Sequence, residues 1–227
     1  MIVIKISFFR RWLYCYLLFF VLGCKTNSIV KNISPDHNDS VQLISVNNRA
    51  LEFIRKARLL ITQGDMILRS GNDFTSESLR QLSQNDKTFS HCGIASLEND
   101  SIFVYHSLGG EWNPDEKIRR DPLELFCNPD ENRGFGVFTF NFNDLQNHRL
   151  DSVVKDWYKK GLTFDMDFNL ATDDKLYCAE FVSKSIEIAT EHSIRFNTSK
   201  INNFTFIAID NLFLNPFCAE KLRVRYE

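Results

Sequence analysis

Phe89-Ser90-His91-Cys92-Gly93-Ile94-Ala95-Ser96-Leu97, then Glu98-Asn99-Asp100, then Ser101-Ile102-Phe103-Val104-Tyr105-His106-Ser107 is the stretch that decides the fold. Two apolar-rich runs flank three residues of turn composition, which predicts a β-hairpin. Strand alternation puts Phe89, His91 and Gly93 on one face and Ser90, Cys92 and Ile94 on the other. Gly93 carries no side chain, so the His91 face is expected to hold open space for a partner on a facing helix. Cys92 is expected to point away from that partner. His106 lies on the second strand of the hairpin, where it can orient His91. A strand histidine with no partner is more often structural.

The partner is sought further along the chain. Leu176 to Thr190 reads as a helix with Asp173 or Asp174 as its cap, and Cys178 falls in its first turn. Unpaired amides and the helix dipole at such a terminus favour the thiolate, which is the reactive form. Phe181, Val182, Ile186 and Ala189 share the face of Cys178, so the residue also fits an inert core thiol. Around these elements, Ala50, Phe53, Ile54, Ala57 and Ile61 recur at helical spacing, and Gly64-Asp65 breaks that pattern before a strand at Met66-Ile67-Leu68. Ser76 to Gln84 predicts a short helix capped by Thr75 or Ser76. Gly109 to Asp121 reads as a polar loop and Gly136 to Phe142 as an aromatic strand. Leu150, Val153, Val154 and Trp157 mark a helix that Gly161 ends. Leu222 to Tyr226 is expected to close the sheet. These elements make one α+β domain, an antiparallel sheet packed against helices.

The N-terminus has a different purpose. Lys5, Arg10 and Arg11 precede an apolar run from Trp12 to Leu22, too short to span a bilayer and of signal-peptide length. It ends in Val21-Leu22-Gly23-Cys24, the pattern of a lipoprotein signal in which Cys24 is lipidated. Residues 1–23 are therefore read as a signal peptide, 24–44 as a flexible tether rich in Asn, Asp and Ser, and 45–227 as the folded domain. The 27 basic residues less the three of the signal, against 29 acidic ones, leave a net charge of about −5. That balance gives no reason to expect nucleic acid. Of the six cysteines, Cys15 and Cys24 belong to the signal region. Cys92, Cys127, Cys178 and Cys218 match no zinc spacing, so no metal is expected, although an oxidising periplasm would allow a Cys127–Cys218 bridge.

Four motifs in order carry a resemblance: Gly64-Asp65-Met66-Ile67-Leu68-Arg69, Ser90-His91-Cys92-Gly93-Ile94, Gly161-Leu162-Thr163-Phe164-Asp165 and Tyr177-Cys178-Ala179-Glu180-Phe181-Val182. Together they resemble the YiiX/YaeF-like amidases, circularly permuted relatives of the NlpC-type papain-like hydrolases. The resemblance implies that fold, with Cys178 as nucleophile and His91 as base. His106 falls where many relatives carry glutamate, so its third catalytic role departs from their commoner pattern. Tyr177, Glu180 and Asp65 match recurrent positions read as structural, supporting or, for the Tyr177 hydroxyl, oxyanion-binding. Asp165 fits a turn equally well. The implied chemistry is acyl transfer through a thioester, with no cofactor. The expected substrate is a peptide or isopeptide amide, cell-wall peptide by location, in a protein lipid-anchored in the bacterial cell envelope through Cys24. The alternatives are a lipid acyl hydrolase or acyltransferase of the same fold and a binding lipoprotein without turnover.

Overall fold

The computed structural model describes residues 37–110 and 113–226, with side chains from residue 46 onward. The signal peptide, Cys24 and the first part of the tether lie outside the described residues. Six strands form one antiparallel sheet in the order β4-β3-β2-β1-β5-β8. They are β1 (Met66–Gly71), β2 (His91–Glu98), β3 (Ser101–His106), β4 (Arg119–Pro122), β5 (Asn132–Phe140) and β8 (Cys218–Arg225). The short strands β6 (Ser199–Ile201) and β7 (Phe204–Phe206) pair separately. The helices are α1 (His37–Arg58), α2 (Phe74–Arg80), α3 (Leu123–Phe126), α4 (Asp144–Lys160), α5 (Cys178–Ala189) and α6 (Ile209–Phe213).

Helices cover both faces of the sheet, which is why β1 and most of β2 are buried at nearly every position. On one face Met66, Leu68, Cys92 and Ile94 pack with Leu150, Val154 and Trp157 of α4 and with Cys178, Phe181 and Val182 of α5. On the other, Ile67, Ala95 and Val104 pack with Ala50, Ile54 and Ala57 of α1 and with Leu123 and Phe126 of α3. Phe181 is fully buried against Trp157, at 5.9 Å between ring centroids. Truncating it to alanine would cost about 3–5 kcal/mol.

The β2–β3 hairpin forms as its composition predicts, and its turn residues Asn99 and Asp100 both take positive φ, 47° and 64°. That is the mirror-image turn whose twist suits a two-residue hairpin. Gly161 ends α4 in the left-handed conformation, φ 66°. The helix starts earlier than its apolar spacing shows, at a reciprocal cap in which Gln146 N donates to Asn143 Oδ1 and Asn143 N to Gln146 Oε1. Asp73, not Thr75 or Ser76, caps α2 by accepting from Ser76 N. Helix α1 begins at His37, inside the stretch whose composition suggests a tether. Strand β4 emerges at the end of the predicted polar loop and extends β3 at the sheet edge. Cys127 and Cys218 are both free thiols. No helix of the described residues is long and apolar enough to cross a membrane.

Candidate active site

The start of α5 is held over β2 from several sides. Ser107, just past β3, donates its hydroxyl to the carbonyl of Leu176, and Thr163 bridges Lys117 on one side and Lys175 on the other. Tyr177 is the N-cap, and its amide donates to Glu180 Oε2 at 3.3 Å. Cys178, 7% exposed, is then the first residue of the helix. The neighbouring Cys92 thiol is the largest of the influences that lower its pKa. Together with the amides of Ala179, Cys92 and Cys178, that contact outweighs burial and holds Cys178 below the ordinary thiol range. Burial, reinforced by the same contact, pushes Cys92 well above it. Of this pair, Cys178 is the one shifted toward the thiolate.

A second constellation lies along β2, β3 and β4. His91 Nε2 is 2.8 Å from His106 Nδ1, and His106 Nε2 is 3.1 Å from Asp121 Oδ2. Burial alone would raise Asp121, but the hydrogen bond from His106 and the neighbouring Arg119, at 2.9 Å, outweigh it and keep the carboxylate charged. A carboxylate only accepts, so His106 carries its proton on Nε2 and accepts on Nδ1. His91 must then donate from Nε2, which leaves Nδ1 as a lone pair. Burial lowers the pKa of His106 to about 4, against the pull of Asp121. Burial, then Arg69, His106 and Arg119, lowers His91 well below the usual histidine range. Both rings are therefore neutral at pH 7, and the tautomer chain leaves the lone pair on Nδ1 of His91 unshared with His106.

The two constellations meet β2 from different sides, and this corrects the strand-face expectation. Alternation along β2 holds, but Cys92 faces α5 and the Cys178 sulfur, while the His91 ring packs by Phe126 on the other face, 5.6 Å between centroids. Among the described residues no hydrogen bond joins Cys178 to a histidine; Cys178 instead packs with Cys92. The open space expected at Gly93 is also absent. A Cβ there would stand 2.7 Å from Tyr105 O and 2.9 Å from His106 Cβ, so the glycine serves the close approach of β3.

The supporting residues divide clearly. The Tyr177 hydroxyl is 2.7 Å from Ile207 N, from which it accepts, and 3.3 Å from Ile207 O, to which it donates. It is thus engaged in anchoring the chain and is not free as the oxyanion donor expected of it. Glu180 is fully buried, with Lys184 Nζ 2.9 Å from Oε1 but out of hydrogen-bond alignment. Burial prevails over that pairing, and the carboxyl's pKa rises to about 7. Asp65 closes its turn by accepting from Thr62 N at 2.8 Å and pairs with Lys221 of β8 at 2.6 Å, a structural tie. Asp165 accepts from the amides of Asp167 and Asn169, which makes it a turn residue. His148 and His192 are exposed. Asp121 and the half-buried Arg69, which lies beside the Phe126 ring, escaped the sequence reading. Asp121 sits in Arg119-Arg120-Asp121-Pro122, an edge strand with no apolar alternation to reveal it.

No family model matches the chain, and no curated protein does. Among solved structures, the chain is similar to YiiX from Escherichia coli O157:H7, described as a metalloprotein, with a TM-score of 0.59 and 18% identity. The match covers 72% of this chain and 98% of YiiX. With its six-stranded antiparallel sheet and the histidine hairpin ahead of the cysteine helix, the chain has the papain-like fold of YiiX.

Proposed function

We propose that the chain is a cysteine hydrolase in which Cys178 attacks an amide carbonyl and His91 acts as base. The observation that carries this reading is the His91–His106–Asp121 chain. Its tautomers leave His91 Nδ1 unprotonated in the residue next to Cys92, which packs with Cys178. The ring and the thiol approach β2 from opposite sides, so the dyad requires a local rearrangement at the start of β2 that brings Nδ1 to the sulfur. Nδ1 takes the thiol proton as sulfur bonds to the carbonyl carbon, and the amide of Cys178 at the helix start donates to the oxyanion. Collapse breaks the C–N bond, and His91 returns the proton to the leaving amine. Water, deprotonated at Nδ1, then splits the thioester and restores the thiol.

The proposed substrates are peptide or isopeptide amides, cell-wall peptide foremost, met by a protein anchored in the envelope through lipidated Cys24. YiiX is described as a metalloprotein. Here no group of three or more His, Cys, Asp or Glu is gathered as a metal site among the described residues. The facing nitrogens of His91 and His106 are spent on each other. The residues do not fit a metal, and no step is routed through one. The test is hydrolysis of a panel of chromogenic peptide amides and acyl esters by the wild type and by Cys178→Ala. Turnover of amides that vanishes in the variant supports the reading. Turnover confined to esters moves the substrate to acyl lipids, and hydrolysis that persists in Cys178→Ala overturns the mechanism.

A further inference from the structure

On the sheet edge formed by β5 and β8, a cavity of about 580 Å³ is lined by Arg80, Lys87, Arg133, Arg223 and Arg225. Five cations around one cavity are not what an acidic chain of net charge −2 produces by composition. Three carboxylates hold part of the wall. Glu77 pairs with Arg80 and, at 3.7 Å, with Arg133. Asp86 and Glu220 both hold Arg223, at 2.8 and 2.9 Å. Lys87 donates only to the neutral Gln81 Oε1, at 2.8 Å, and neither it nor Arg225 has a carboxylate partner among the described residues. The wall thus carries two positive charges beyond its own counter-charges.

A further feature marks it as a built site. Arg223 is fixed from below by three rings, its guanidinium carbon 5.3 Å from the Phe89 centroid, 5.7 Å from Phe138 and 5.5 Å from Phe213. Its paired carboxylates and this aromatic floor pre-orient it. Gly134 completes the wall. A Cβ there would lie 2.2 Å from Val224 O, so glycine permits the close approach of β5 and β8 that places Arg225 opposite it.

From this geometry we infer that the β5–β8 cavity is a binding site for a phosphate-bearing ligand, separate from the cysteine centre. Guanidinium forks match the oxygens of a phosphate, and the volume holds more than one such group. Two sources share that chemistry, a soluble phosphate ester and the headgroup of an anionic lipid. The full chain in neutral detergent is titrated calorimetrically with inorganic pyrophosphate and, separately, with phosphatidic acid in mixed micelles, phosphatidylcholine serving as blank. Lys87→Ala/Arg225→Ala removes the two cations without stranding a carboxylate, so the fold is expected to survive; circular dichroism checks this. Saturable binding of either probe, at least tenfold weaker in the double variant and weakened by salt, supports the site. Response to pyrophosphate assigns a soluble ligand, and response to phosphatidic acid alone assigns a lipid headgroup. Absence of binding to both probes, or equal binding by wild type and double variant, overturns the inference.

Discussion

Replacing Cys92 by alanine isolates the contact that sets the reactivity of Cys178. The Cys92 thiol is the largest influence lowering the Cys178 pKa, ahead of the three amides that stay in the variant. A hydrogen bond to a charged group is worth roughly 1.5–3 kcal/mol, and a thiol is a weak donor, so the low end applies. At 1.36 kcal/mol per unit, its loss raises the Cys178 pKa by about one unit. Well above both midpoints both thiols are fully ionised, and the more basic sulfur of the variant reacts about threefold faster. Below them, the variant has about tenfold less thiolate. The gain in intrinsic nucleophilicity of a more basic sulfur recovers part of this, leaving a net rate loss of about threefold to fourfold. The cavity left by one sulfur costs on the order of 1 kcal/mol of stability, too little to unfold a domain of this size. The assay is iodoacetamide alkylation from pH 4 to 10, followed on the Cys178 peptide by mass spectrometry, with circular dichroism to confirm the fold. A folded variant whose alkylation midpoint equals that of the wild type would refute the thiol-donor account of Cys178.

Four further outcomes are expected. His106 has its pKa lowered by burial from 6.5 to about 4, so the unfolded chain takes up this proton first as pH falls. Its contribution to stability is full above pH 6.5 and declines toward pH 4 by about 3 kcal/mol; urea unfolding at pH 7 and 4.5 measures the decline, and His106→Gln should make it smaller, the remainder including His91, which burial lowers in the same sense. The same shift moves the acid limb of reactivity below the pH of about 6.5 expected for an unperturbed histidine. Asp121→Ala leaves the His106 tautomer unspecified, so kcat should fall by about one to two orders of magnitude with KM nearly unchanged, and steady-state kinetics on the responsive amide reads this. Cys24→Ser should abolish labelling by a fatty-acid analogue and release the protein from the membrane fraction; retention of the variant would contradict lipid anchoring.

Much of the fold was legible where one physical signal acts alone. The turn at Asn99-Asp100 and the stop at Gly161 need left-handed backbone, which those residue types supply at little cost. The spacing of Leu150, Val154 and Trp157 marks a stripe that α4 does bury. What stayed hidden has equally physical causes. Alternation divides β2 into two sets of side chains, but with helices packed on both faces it cannot say which set meets α5, and so Cys92 was turned the wrong way. Asp121 lies on an edge strand that buries no apolar stripe, leaving no pattern to read. The start of α4 is built from a polar cap that apolar spacing does not register. Tyr177 matched a motif, yet its hydroxyl is claimed by Ile207, a contact thirty residues away in the chain.

The most direct test of the central claim, that Cys178 is a nucleophile served by His91, is adduct mapping with an acyl electrophile. The full-length protein and His91→Ala are treated with a peptidyl acyloxymethyl ketone at pH 7, and intact mass and peptide mapping follow the rate and site of modification. The account predicts one adduct, on Cys178, forming in the wild type at least about a hundredfold faster than in His91→Ala, the scale of general-base assistance. Modification of Cys92 in place of Cys178, or equal rates in the two proteins, would contradict it.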